Sequence, residues 1–484
     1  MNRSLLLMQL RARRWRALER LRDGRAPRFV LGCLDLALAL WQLARGQLYL
    51  ALERVCRVQR VARIPALDRL AAPLLRAIEA RSCRGPDGRP LPCSENRLLE
   101  DFRLGPAARS HFRGRIQTWE RLVTIGNQVM ILKQPDPARG ELGVLILKYS
   151  PGFGCFAALY DLPRVLERYQ IVLEPSWVGY QDAGFRLFFD RTRGVVVQAQ
   201  QRRDFETLEA FGANLIPVPF SSGNWVDCEH FHPLPGVGKD YLAVFVANWA
   251  PHKRHELALD ALAAIPDPSA RIALVGYPWR GYTRERIAHE VRRRGLGARV
   301  DFYERINRKE VNQILNRSHA TLLLSRKEGS AKIFYESLAA GTPVLMASDH
   351  EGVPQEHVNG RTGLLAAPSG LAAAMLWLRD EGQELDPQAW WKENASIEAS
   401  TRELERVLRA RALAEGHAWI RGIYAKKNDP NLQYVDPALR ERLAPAYREL
   451  SRLLRPDAEL RRYRLDYVRP ADLPAGPGPA PGAP

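Results

Sequence analysis

Ser325-Arg326-Lys327-Glu328-Gly329-Ser330-Ala331-Lys332-Ile333-Phe334-Tyr335-Glu336-Ser337-Leu338-Ala339-Ala340-Gly341-Thr342-Pro343 is the stretch from which the rest of the chain is read. The apolar run Ala320–Leu324 before it has the length and composition of a buried strand. Ala331–Ala340 is rich in helix formers and stops at Gly341, with Pro343 close behind. Between strand and helix lies a small-residue turn. It places the backbone N–H groups of Gly329 and Ser330 at a helix N-terminus, where an anion is favoured. Glu328 opens the turn and Glu336 lies further along the helix. Carboxylates beside an anion site are unfavourable unless they accept from hydroxyls, and sugar hydroxyls are the natural donors. The plainer reading makes both of them solvated surface acids.

Working outward, the same strand–turn–helix rhythm repeats. Leu242–Ala247 reads as a strand and leads into the loop Asn248-Trp249-Ala250-Pro251-His252-Lys253-Arg254. Strands are predicted at Arg271–Gly276, Val300–Tyr303 and Pro343–Ala347, with helices over Glu256–Ala264, Arg284–Arg294 and Arg308–Arg317 between them. Alternation of this kind builds an α/β, doubly wound parallel sheet, with ligands at the strand ends. An earlier set begins at Leu142–Lys148 and runs through a glycine turn, Ser150-Pro151-Gly152-Phe153-Gly154, into a helical run to Leu166. Ile171–Glu174, Val195–Gln198 and Asn214–Phe220 continue it, and Gly236-Val237-Gly238 reads as the linker between the two sets. Gly152 and Gly154 are candidate ligand contacts, and the polar-aromatic loop Pro175–Asp182 sits at a strand end, where ligands bind in open α/β sheets.

Glu328, seven residues, then Glu336, followed by Leu338-Ala339-Ala340-Gly341-Thr342-Pro343-Val344, resembles the Glu-x7-Glu segment of retaining GT-B glycosyltransferases of family 4, the glycosyl transferases group 1. Asn224-Trp225-Val226-Asp227-Cys228-Glu229-His230-Phe231-His232-Pro233 is similar to that family's Asn-Gly-Val-Asp-x3-Phe-x-Pro hinge, with Trp225 where Gly is usual. Asn359-Gly360-Arg361-Thr362-Gly363-Leu364-Leu365 with Pro368 matches Asn-Gly-x-x-Gly-Leu-Leu-x-x-Pro, which reads as a hairpin turn with glycine-demanding positions. The resemblance covers roughly residues 140–380.

It implies a GT-B fold, with two Rossmann-like domains facing across a cleft. A helical basic extension (1–120) would precede an acceptor domain (121–235) and a nucleotide-sugar donor domain (236–385). C-terminal helices (386–468) would pack back on the first domain, and a disordered tail (469–484) would end the chain. The activity implied is transfer of a sugar from a nucleotide-sugar with retention at the anomeric carbon. Glu328 would bind hydroxyls of the donor sugar and Glu336 the ribose. Lys253 and the Gly329-Ser330 helix start would hold the diphosphate, and main chain near Arg305 and Ile306 the base. Similar proteins carry an Arg five residues before the Lys. Asn248 stands there, so Arg254 or Lys332 is the candidate replacement cation. No metal or separate cofactor is expected if these donors suffice. The leaving phosphate itself would take the acceptor's proton.

A chain of 484 residues is long for one domain, and 46% hydrophobic with 26% charged residues suits a globular protein. The net charge of +18 would attract nucleic acid or an anionic membrane. No nucleic-acid-reading module is present in the sequence. The expected partners are therefore the nucleotide-sugar, a glycan or lipid-linked acceptor, and a membrane surface touched by the N-terminal basic helices, with no nucleic acid. Residues 1–80 read as helical, either an extension packed on the body or a basic amphipathic surface on anionic lipid. Phe29–Ala44 is short for a bilayer span and contains Asp35 and Gln42, and no secretory signal is evident. The expected location is cytoplasmic, peripheral on the inner face of the cell membrane. Six scattered Cys read as reduced thiols, although Cys83 and Cys93 flank a loop able to bring them together. His230 and His232 lack a third ligand for a metal. Two alternatives stay open: a nucleotide-sugar epimerase of the same fold, which would need an acid/base set in the first domain, and a non-catalytic basic protein bound to membrane or nucleic acid.

Overall fold

The computed structural model describes residues 25–62, 64–111, 119–175, 180–429, 431–460 and 463. The Arg-rich start, Ser176–Gly179 of the polar-aromatic loop, and the Pro-rich tail lie outside the described residues.

The chain opens with helices α1 (Arg25–Ala44), α2 (Leu48–Arg57), α3 (Pro65–Ser82) and α4 (Arg97–Leu104). Leu52, Val55, Leu67, Ile78, Leu98 and Phe102 join them to the core of the first sheet. Polar ties fix the same interface. The fully buried Arg186 guanidinium donates to Glu79 on α3 (2.6 Å) and to the Asp182 carbonyl (3.2 Å). Burial acts against the Arg186 charge, but Cys56 and the Glu79 carboxylate together outweigh it and raise the pKa. Cys83 and Cys93 both remain free thiols.

The first sheet has five strands in chain order: β1 (Val129–Lys133), β2 (Gly143–Lys148), β3 (Tyr169–Glu174), β4 (Val195–Gln198) and β5 (Leu215–Val218). β1 is antiparallel to β2 and the rest are parallel. β1 to β4 are buried at every position, as apolar strands covered on both faces must be. The α/β class stands, with one difference in winding. The strand order never reverses, so this sheet has no switch point of its own. The edge strand β1 was not singled out in the sequence. The expected glycine turn is also displaced. The chain turns at Tyr149 (φ 65°), and Gly152 and Gly154 lie inside helix α5 (Ser150–Leu159). A Cβ on Gly152 would come 2.6 Å from Gln128 Oε1, so close packing explains that glycine.

The second sheet has six parallel strands, β6 (Ala243–Val246), β7 (Ile272–Gly276), β8 (Val300–Glu304), β9 (Thr321–Leu323), β10 (Val344–Ala347) and β11 (Gly363–Ala366), in the order β11-β10-β9-β6-β7-β8. The order reverses between β6 and β9. That is the switch point of a doubly wound sheet, where the first turns of successive helices diverge and leave a crevice. Helix α6 (His255–Ala263) follows β6, and helix α7 (Lys332–Ala339) follows β9. The segment Asn359–Gly363 is not a hairpin turn, because β11 pairs parallel to β10. Its glycine requirement comes from Gly363, where φ is 150° and a Cβ would sit 1.9 Å from the Val344 carbonyl oxygen.

Helix α8 (Pro387–Asn394) stays with the second domain through Trp391, and α9 (Ile397–Ala414) returns to the first through Ile397, Leu404 and Leu408. The chain thus passes between domains twice, and the two crossings touch, with Asn224 Nδ2 donating to Ser400 Oγ (3.4 Å). Beyond α9 the sequence suggested further helix. The structure instead has a hairpin, β12 (Lys426–Asp429) and β13 (Asn431–Tyr434), then a short helix α10 (Ala444–Ser451). These segments cover the β1 edge. Tyr424 N donates to the Leu132 carbonyl (2.7 Å), Tyr434 OH to the Ile131 carbonyl (2.7 Å), and Ile131 N to Tyr447 OH (3.2 Å). An edge strand so covered offers no open ladder to another chain.

Candidate functional site

A cavity of about 320 Å³ opens at the switch point, lined by residues of the second domain between Phe245 and Ile333. Four strand ends frame it. β6 contributes Asn248 and Lys253 from its following loop; β7 contributes Gly276 and Tyr277; β8 contributes Arg305 and Ile306; β9 contributes Ser325, Glu328 and Ser330. The loop after β6 turns sharply at Arg254 (φ 59°) to start α6, and this throws Lys253 back over the strand ends. The loop after β9 is pinned by Glu328 N donating to the Glu351 carbonyl (2.7 Å) and Glu351 N to the Arg326 carbonyl (2.8 Å).

The convergence of Lys253 and Glu328 defines the site. They stand 75 residues apart in sequence, yet the ammonium donates to Glu328 Oε1, and each side chain is only 15% exposed. Burial pushes the Glu328 carboxyl up, but the Lys253 charge and hydrogen bond outweigh it and leave the pKa below the usual glutamate value. Glu328 is therefore a partly buried carboxylate. His350 was not anticipated from sequence. It is buried beside this pair, with its Nδ1 2.7 Å from the Ser325 carbonyl oxygen, and burial holds it below the usual imidazole range.

The other candidates divide. Asn248 lines the cavity, and its Oδ1 accepts from Ala250 N (3.2 Å). Arg254 does not line it. Its guanidinium forks onto Asp349 with two 2.7 Å bonds, so this replacement cation is committed elsewhere. Lys332 lines the cavity, but its ammonium donates to the Asn428 carbonyl (3.2 Å) on the returning hairpin. Arg305 lines the cavity and is exposed, with φ 58° and its N–H on the Gly276 carbonyl (2.9 Å). Gly329 stands between Glu328 and Ser330 in the same turn. No side chain caps the start of α7. Glu336, half-buried on α7 one turn beyond Lys332, has its pKa raised by burial, against the pull of Lys332 and Arg308. Gly152 and Gly154, in α5 of the first domain, are not brought to the cavity. His230 lies 3.9 Å from Asp227, and among the described residues no group of three His, Cys, Asp or Glu assembles to hold a metal.

The first domain presses on the start of α7. Ser330 Oγ donates to Ser221 Oγ (3.1 Å), and the Gln200 amide reaches the Tyr335 hydroxyl. Gly223 leaves no room here, since a Cβ would come 2.7 Å from Tyr335 Cδ2 and 3.2 Å from Ser330 Oγ. Gly223→Ala is therefore expected to disfavour this closed arrangement by about 1–3 kcal/mol, the usual cost of overpacking. Small-angle scattering should report a larger radius for the variant; an unchanged profile and unchanged melting would show that the contact is slack.

Behind that contact lies a buried charge cluster that composition alone does not reveal. Glu174, at the end of β3, is approached by Lys426 Nζ (2.7 Å), Asn428 Nδ2 (3.2 Å) and, at the end of β2, Lys148 Nζ (3.7 Å). Lys426 also lies over the Trp225 ring, at 3.7 Å from its centroid. Burial lowers both lysines, Lys148 to about 7 and Lys426 to about 8, with Glu174 holding them up from lower values. Asn428 donates to the Ser222 carbonyl (2.8 Å) as well, so one hairpin residue ties together β3, the first crossing and, through Lys332, helix α7.

Residues 229–398 match the family model described as glycosyl transferases group 1. Among curated proteins, the glycogen synthase of Mycobacterium tuberculosis is 29% identical over 130 residues, which are 25% of this chain and 30% of that protein. The chain's match thus spans under a third of that relative's length. Among solved structures, a sucrose-phosphate synthase from Thermosynechococcus elongatus aligns at 19% identity with a TM-score of 0.43, over 56% of this chain and 74% of that one. The Anabaena protein HepE in complex with UDP aligns at 17% with a TM-score of 0.44, over 55% and 78%. The family match takes in every strand of the second sheet and the cavity at its switch point. Over residues 229–398, about a third of its length, this chain is similar to glycosyl transferases group 1.

Proposed function

We propose that the protein is a glycosyltransferase that moves a sugar from a nucleotide-sugar to a glycan or lipid-linked acceptor, with retention of anomeric configuration. The observation that carries this reading is the meeting of Lys253 and Glu328 at the switch-point cavity, beside the uncapped start of α7. A donor bound there places its diphosphate between the Lys253 ammonium and the amides of the α7 turn. Those groups stabilise the negative charge that develops as the sugar–phosphate bond breaks. The diphosphate draws Lys253 away from Glu328, and the freed carboxylate accepts from hydroxyls of the donor sugar. Glu336, further along α7, takes the ribose hydroxyls, and the main chain at Arg305 and Ile306 borders the base. The departing phosphate accepts the acceptor's proton, so this chemistry asks for no separate base and no metal. The first domain's contacts with Ser330 and Tyr335 close over the reacting groups and limit hydrolysis.

The test is a panel of nucleotide-sugars scored by thermal stability. A donor present at about a hundred times its Kd adds roughly 2.7 kcal/mol to folding. One member is expected to raise the melting temperature by several degrees, and Glu336→Ala is expected to weaken that binding about tenfold. A panel in which no nucleotide-sugar stabilises the protein, and none is consumed, would overturn the assignment.

A further inference from the structure

Helix α1 is amphipathic the wrong way round for a protein surface. Phe29, Val30, Leu34, Leu38, Leu40 and Trp41 are each 40–57% exposed. At 3.6 residues per turn they fall on one half of the helix, and Ala26, Cys33, Ala37 and Ala44, also exposed, fill the gaps between them. The half that faces the body holds the polar residues. Asp35, the helix's single acid, is buried and pairs with Arg54 (3.1 Å) and Arg57 (3.6 Å) of α2. Gln42 is buried on the same side. A run this apolar and this far exposed needs a cover.

We infer that α1 lies in the plane of an anionic lipid surface, with its outer half in the acyl boundary and its inner half on α2. Two observations select lipid over other covers. The 24 residues preceding α1 carry seven Arg against Glu19 and Asp23, and Arg45 follows its last turn, with its guanidinium 4.8 Å from the Trp41 ring centroid. An apolar face flanked by cations matches the acyl and phosphate layers of an anionic leaflet together. A second copy of the chain would bring the same cationic flank against itself. By length and composition Ala26–Ala44 also satisfies the test for a spanning helix. Spanning would strip Asp35 from Arg54 and Arg57 and set it in hydrocarbon, whereas lying flat keeps that pair intact. The inference stands apart from the transferase reading, since neither the cavity nor its residues enter it.

The experiment uses the full chain. Vesicles of phosphatidylcholine alone and of phosphatidylcholine mixed with phosphatidylglycerol are sedimented with the protein. Co-sedimentation is expected with the anionic vesicles, and Leu34→Ser with Trp41→Ser should cut partitioning roughly tenfold or more by removing apolar burial at solvent-exposed positions. In a Cys228→Ser background, where Cys33 is the exposed thiol among the described cysteines, a fluorophore on Cys33 should shift to the blue on those vesicles. Failure to bind anionic vesicles would overturn the inference. So would binding that the double variant leaves unchanged, or a blue shift that appears without lipid as protein concentration rises, which would assign the face to a second copy.

Discussion

Lys253→Ala is expected to lower turnover about a hundred- to a thousand-fold, the range seen when one preorganised donor to a developing anion is removed. The ammonium is held where β6 ends, within hydrogen-bonding reach of Glu328 and shielded from water. Its charge is worth more there than at a surface, because low-polarity surroundings screen it less. The same change has a second signature. Burial alone raises the Glu328 carboxyl, and Lys253 is the first of the groups that bring it down. Without the lysine its pKa climbs, so the acid limb of the kcat/KM profile should move to higher pH. Lys253→Arg keeps the charge and should restore part of the rate. Steady-state kinetics with the stabilising nucleotide-sugar decide the matter; a rate unchanged in the alanine variant would remove Lys253 from the chemistry.

Glu174→Gln should be the most damaging single change to stability, at about 3–5 kcal/mol near neutral pH, because it leaves two buried ammonium groups without a counter-charge. The pH dependence carries a sign that a packing defect would not. Burial lowers Lys148 to about 7 and Lys426 to about 8, against 10.5 for an ordinary lysine. Between those values the unfolded chain binds more protons than the folded one, so these lysines make stability rise with pH across the window. Removing Glu174 lowers both pKa values further and extends the window downward. The deficit of the variant should therefore widen as pH falls through 8 and 7, where the native wild-type lysines take up protons that the variant's do not, and stay level above that window. Chemical denaturation at several pH values measures it. A deficit that is flat with pH would mean that the lysines are neutral in the native protein throughout.

Much of the second domain was legible because its signals are local. The strand before Ser325, the turn at Gly329-Ser330 and the stop at Gly341 sit within one short stretch, and hydrophobic periodicity reports such units well. What escaped was decided by partners far along the chain. Arg254 reads as a spare cation beside Lys253, and only folding brings up Asp349 to occupy it. His350 reaches Glu328 through the pairing of Lys327 with Glu351. The hairpin at Lys426–Tyr434 was unreadable because Lys-Lys-Asn-Asp is wholly polar, the alternation of Asn-Leu-Gln-Tyr lasts only four residues, and the buried lysine rests on a glutamate 252 residues away. At Gly152 a two-glycine pattern does not by itself tell a ligand-binding turn from a helix packed so closely that a Cβ would meet Gln128. In α1 the periodicity was real, but the side it turns outward could not be foreseen, since Asp35 chooses its face by meeting Arg54 and Arg57.

The paired crossings at Asn224 and Ser400 have a mechanical consequence. A body joined to its neighbour by one tether can swivel about it; one joined by two adjacent tethers swings like a book cover on its spine. Any parting of the two domains would then follow one hinged stroke, separating Ser221 from Ser330 and Gln200 from Tyr335 together.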